Sequence, residues 1–130
     1  MACDPVVARD SVAYATLRGG SACGGTLSQL VVYDIRNTSS PVLKNTFDLN
    51  NPFGLGVKGN ALYVCDSDSG LVVFDISKAY QPVKNLTITS RTFFDVIPYG
   101  NILIAQTDKG IALFDISIPL QPVFTGEIVN

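Results

Sequence analysis

The chain contains no histidine and no tryptophan. The missing imidazole removes the commonest general base, the usual activator of a serine nucleophile and the commonest metal ligand together. Charge is scarce as well: only 15% of the 130 residues are charged, nine Lys and Arg against eleven Asp and Glu, for a net charge of −2. No basic run gathers anywhere, so the electrostatic footprint of a nucleic-acid or anionic-membrane binder is missing. Apolar residues reach 47%, yet no apolar stretch approaches the ~20 residues that a membrane-spanning helix needs. This is the balance of one domain or less with a large buried core. Any enzymatic reading starts from a deficit, and neither a cofactor nor a metal is expected.

What is present is a signature repeated three times: QLVVYDIRNTSSPV at 29–42, GLVVFDISKAYQPV at 70–83 and GIALFDISIPLQPV at 110–123. Its aspartates, Asp34, Asp75 and Asp115, and its prolines, Pro41, Pro82 and Pro122, both advance by 41 and then 40 residues. A period of roughly 40 residues with strand-like content and no 3.6-residue periodicity is what a four-stranded propeller blade requires. The reading is all-β: three consecutive four-stranded antiparallel blades, over 1–50, 51–90 and 91–130.

Within each unit four strands follow one another. The first spans Pro5 to Arg9, Phe53 to Lys58 and Phe94 to Pro98; the second Ser11 to Arg18, Ala61 to Asp66 and Ile102 to Thr107. The third carries the signature, and the fourth runs from Val42, Val83 and Val123. Gly59-Asn60 and Gly100-Asn101 supply hairpin chemistry between the first two strands, since Gly and Asn tolerate positive φ. The third strands are apolar at nearly every position, as expected where neighbours cover both faces of a sheet. Asp34, Asp75 and Asp115, one at the end of each third strand, are expected to cap the turn that follows by accepting backbone amides, as Asx turns do, rather than to catalyse. Each proline stands where an outer strand begins and an N–H is dispensable.

The ordered set ACDPVV at 2–7, AYATLRGG at 13–20, CGG at 23–25, NPFGLGV at 51–57, VCD at 64–66, GLVVFD at 70–75 and FDVIP at 94–98 resembles the LVIVD-repeat β-propeller family, common in Bacteroidetes and related bacteria. The resemblance covers essentially the whole chain. It implies an exported protein, placed outside the cell, at its surface or in the periplasm, and it brings no family-wide catalytic residues. Propellers ordinarily close with four to eight blades. Three blades are therefore expected to close by oligomerisation, most simply as a two-fold dimer making six, or else to be a fragment of a larger propeller.

Cys3 and Cys23 fall at one edge of the first blade, and the exported character that the resemblance implies favours a disulfide between them. Cys65, inside an apolar run, reads as a buried thiol. The DxDxG of residues 66–70 is half of a calcium loop but lacks the acidic residue that would complete it. Asn37 and Asn85 open N-x-[ST] sequons, and Asp10-Ser11-Val12 fits a short O-glycosylation pattern; these matter only if the chain is exported. In propellers the first strand lines the axis, so Asp4, Phe53, Arg91, Phe94 and Asp95 are the candidate ligand-binding residues at the channel mouth. Aromatics interleaved with Asp and Arg suit a glycan or a peptide of a partner protein. Two functions stand: a non-catalytic binding or assembly module, or a hydrolase using Asp4 and Asp95 as paired carboxylates.

Overall fold

The computed structural model describes residues 5–19 and 27–130, and within them every regular element is a strand. Twelve strands form three separate antiparallel sheets in strict chain order. The first blade holds β1 (Val6–Arg9), β2 (Val12–Leu17), β3 (Gln29–Asp34) and β4 (Val42–Asp48). The second holds β5 (Leu55–Lys58), β6 (Ala61–Cys65), β7 (Leu71–Asp75) and β8 (Val83–Ile88). The third holds β9 (Phe93–Tyr99), β10 (Ile102–Thr107), β11 (Gly110–Asp115) and β12 (Val123–Val129). The hairpins that open the blades turn at Asp10, Gly59 and Gly100, with φ of 55°, 56° and 58°. All three occupy the left-handed region that Gly adopts freely and that Asp tolerates better than most residues. A bulge recurs where the third and fourth strands pair, between Val32/Tyr33, Val73/Phe74 and Leu113/Phe114. It adds twist at the same point of every blade.

The inner strands β1, β5 and β9 lie side by side, and the sheets stack face to face behind them. Because side chains alternate across a strand, the middle blade divides its residues between two cores. Leu62, Val64, Val72, Phe74 and Ile76 pack with Val12, Tyr14, Leu30 and Val32 of the first blade. Ala61, Tyr63, Cys65, Leu71 and Val73 pack with Leu103, Ala105, Ala112, Phe114 and Ile116 of the third. This is why β6 and β7 carry no polar residue before Asp75. In the third blade only one face of the sheet is sealed in this way, and Ile102 on the other is 45% exposed. The β4, β8 and β12 strands run along the rim, with Val42, Val83 and Val123 all more than half exposed.

Where an apolar joint ends, polar groups finish it. The loop between the third and fourth strands of one blade folds over the blade before it, and two side chains of that preceding blade hold it. Tyr14 donates its hydroxyl to the Ala79 carbonyl at 2.8 Å and Asn45 its amide to the Tyr80 carbonyl at 3.1 Å. At the next joint Tyr63 donates to Pro119 O at 2.6 Å and Asn85 to Leu120 O at 2.8 Å. Burial raises the pKa of both phenols, so the hydroxyls remain donors. Lys44 lies 5.0 Å from the centre of the Tyr80 ring, and Arg9 donates to the carbonyls of Gly59 and Ile76 on the far side of the same joint. Replacing Tyr63 by Phe should lower unfolding free energy by about 1 kcal/mol through the orphaned carbonyl. Urea titration should show this as a lower midpoint at constant slope, while Tyr99→Phe, at a ring 73% exposed, should leave the midpoint unchanged.

Candidate functional site

The residues expected at a channel mouth gather where the inner strands of the three blades begin. Gly54 donates its amide to Phe94 O at 2.9 Å and accepts from the amide of Cys65, also at 2.9 Å, which locks the second blade's entry segment against the third. A side chain at Gly54 would collide with Asp95, so the position is closed to anything larger than glycine. This crossing of hydrogen bonds between blades explains why β5 starts at Leu55, two residues later than the sequence pattern suggests. Thr16 adds a hydroxyl donated to Phe53 O at 2.7 Å.

Within this frame Phe53 and Phe94 meet edge to face, ring centroids 5.6 Å apart. The Arg18 guanidinium lies 4.0 Å above the Phe53 ring, in cation–π contact. Pro5, Arg18, Phe53, Gly54, Phe94, Asp95 and Gln106 together line a concavity of about 370 Å³. The Asp95 carboxylate accepts the amide of Val96 at 2.9 Å, leaving acceptor capacity for a second donor. Behind it Cys65 is fully buried, and desolvation, with Asp95 adding to it, pushes its thiol far above the ordinary range. That thiol is inert packing, not a nucleophile.

Phe53, Phe94 and Asp95 thus converge as their positions at the blade entries suggest. Arg91 does not line this concavity: its guanidinium pairs with Glu127 at 2.7 Å and lies 5.8 Å from the Phe124 ring, on the rim side of the third blade. Proximity to Phe94 in sequence is misleading because the chain turns inward only after Thr92. The arginine at the mouth is Arg18, which follows β2 and abuts the next blade's entry. At both internal joints the end of a second strand approaches the start of the following first strand, through Thr16 to Phe53 and Ser67 to Phe93, a regularity of the repeat that points to Arg18. Asp4, Cys3 and Cys23 lie outside the described residues.

The recurring aspartates accept the amide two residues ahead in all three blades: Asp34 from Arg36 at 2.9 Å, Asp75 from Ser77 at 2.8 Å and Asp115 from Ser117 at 2.7 Å. Asp34 also takes the Arg36 guanidinium, at 2.6 Å. These bonds hold the Asp34 carboxyl down at about 2, the Arg36 side chain contributing most. Asp75 and Asp115 are lowered too, by the Ser77 and Ser117 amides. The DxDxG segment likewise serves structure. Asp66 caps the amides of Asn50 and Asn51, and Asp68 accepts the Thr92 hydroxyl at 2.9 Å, so both links between blades are tied to one turn. Among the described residues no three His, Cys, Asp or Glu side chains group as metal ligands. Of the two sequons, Asn85 has its amide engaged at the joint and Asn37 caps Ser39.

Three stacked four-stranded sheets with inner strands on a common axis, joined by rim-to-centre links, define a β-propeller-type repeat protein. The LVIVD repeat model matches two adjacent repeats, at residues 19–49 and 54–86, consistent with an LVIVD-repeat family. No curated protein matches the chain. A carboxyl held low in the fold stabilises it above its unfolded value of about 3.9 and loses that contribution as pH falls toward the folded one. For Asp34 the window therefore runs from there down to about 2. Asp34→Asn should flatten the fall of the thermal midpoint between pH 4 and pH 2 (about the window these values define) relative to the parent, with little change in slope above it. Because Arg36 is 71% exposed, high salt should shrink this difference.

Proposed function

We propose that the chain is a non-catalytic recognition and assembly module that works outside the cytoplasm and packs its blades against further blades of its own kind, a second copy foremost. The observation that carries this reading is the outer face of the third blade. Its strands present Ile102, Ile104, Gln106, Ile111 and Leu113 at the register positions where the second blade presents Ala61, Tyr63, Cys65, Leu71 and Val73, each of them buried. The pattern is that of a joint, and here it opens on a concavity of about 410 Å³ that includes Ile97, Ile104, Gln106 and Ile111. The opposite face of the first blade carries Ala13, Ala15, Leu17, Val31, Tyr33 and Ile35, with Ala13 and Val31 buried and the other four half-buried. Apolar faces of this extent mark association surfaces in soluble proteins, and a two-fold pair would match each to the other with six blades in the ring. Light scattering should give twice the 13.9 kDa chain mass at micromolar concentration. Leu113→Lys, which places a charge in the joint, should return the single-chain mass, and a parent protein that stays at single-chain mass throughout would count against the assembly reading.

The recognition part of the proposal rests on the crossed rings of Phe53 and Phe94 beside Arg18 and Asp95. Two aromatic rings at right angles, with a guanidinium and a carboxylate beside them, suit a glycan or an extended peptide of a partner protein. Asp95 is the one carboxylate among the described lining residues; Asp4, the partner that paired-carboxylate hydrolysis would need, lies outside them. Titrating isotope-labelled protein with neutral oligosaccharides and with short peptides should shift the Phe94 and Gln106 amides for one of the two classes. Phe53→Ala should weaken that binding about tenfold, the value of one aromatic contact.

A further inference from the structure

The two internal joints are each finished by the same pair of donors, a tyrosine hydroxyl on the second strand and an asparagine amide at the bulge of the fourth. They grip successive loop carbonyls, the third and second residues before the repeated proline: Ala79 and Tyr80 in one loop, Pro119 and Leu120 in the other. On the open face of the third blade both donors are gone. The register pairs Ile104 with Leu113 as it pairs Tyr63 with Val73, so isoleucine stands at the tyrosine position. The bulge holds Thr125 and Gly126, and the Thr125 hydroxyl is turned back to the Leu113 carbonyl of its own sheet at 3.1 Å. The matching loop of the first blade keeps the same turn, with Ser40 donating to Asn37 O as Gln81 does to Lys78 O and Gln121 to Ile118 O. Its gripped positions, however, are Thr38 and Ser39 in place of the apolar pairs Ala79-Tyr80 and Pro119-Leu120, and both are exposed.

We propose that the contact between copies, third blade to first blade, is a joint built on the apolar face alone, without the hydroxyl and amide clamp, and is for that reason the reversible joint of the assembly. The inference rests on the assembly reading above and names its partner surface as the first blade of a second copy. Loss of the clamp on the donor side coincides with loss of the apolar loop pair on the acceptor side, so both halves of this joint depart from the internal design together. An apolar contact supplies association without fixing register, whereas the clamp adds two directional bonds that require one alignment. Rings that open and reclose between chains, while the joints inside each chain hold, follow from that division.

The test installs the clamp. Ile104→Tyr with Thr125→Asn copies the second blade's donors onto the third, opposite the Thr38 and Ser39 carbonyls of the incoming copy. Sedimentation equilibrium of parent and double variant should show dimer dissociation tightened on the order of 100-fold, about tenfold for each of two joints. Ile104→Phe, which brings the ring without the hydroxyl, should recover only a small part of the gain, and unchanged circular dichroism should establish that all three proteins fold. A parent dimer that the double variant does not tighten, or that Ile104→Phe tightens equally, overturns the clamp inference and leaves the assembly reading standing. Single-chain mass for both parent and double variant at every concentration overturns both.

Discussion

A blade of this protein is a sheet with two apolar faces, and neither face can be left in water without cost. Burying apolar area contributes about 25 cal/mol per Å², and a four-stranded sheet gains it only by acquiring a neighbour on each side. The middle blade has both neighbours, and its β6 and β7 side chains are covered on both faces down to Asp75. The rest of the architecture answers to that need. Strands alternate residues between two cores, the rim strands leave Val42, Val83 and Val123 more than half exposed, and the loops fold back over the preceding sheet.

Apolar packing of this kind is tolerant of sliding, and the polar contacts are placed where sliding would occur. Along the inner edge the backbone itself crosses between blades through Gly54 and Phe94. At the loop end the tyrosine and asparagine donors fix the next blade's position, and at the hairpin end Arg9 does the same between the first two blades. Joint and site are consequences of one arrangement. The contact that brings Gly54 against Asp95 also sets Phe53 against Phe94, so the channel-mouth concavity cannot be separated from the register of the blades.

The carboxylates divide by the same logic. Those that recur with the repeat, at Asp34, Asp75 and Asp115, are consumed by local amides, because a turn that must form three times needs the same acceptor three times. Those in the second blade's DSDSG turn are consumed by the links that carry the chain from rim to axis. Asp95 differs in belonging to no repeated device, and it sits where three blades meet.

The blade order, the strand set and the capping aspartates were legible in the sequence because each depends on interactions within a few residues: side-chain alternation, a turn requiring positive φ, a carboxylate reaching an amide two residues away. A forty-residue period then multiplies the signal by three. The family resemblance carried the same information about the fold. The partners of individual charged residues were not legible. Arg91 stands beside Phe94 in sequence yet pairs with Glu127 across the β-sheet, whereas Arg18, far from Phe53 in sequence, lies above its ring. Nor could the sequence alone reveal that Tyr14, Tyr63, Asn45 and Asn85 act as one device, because their acceptors are backbone carbonyls of another blade and carry no side-chain signature. Local chemistry is written in neighbouring letters; contacts between blades are decided by how rigid sheets stack, and only the tertiary structure states where one sheet's edge meets the next.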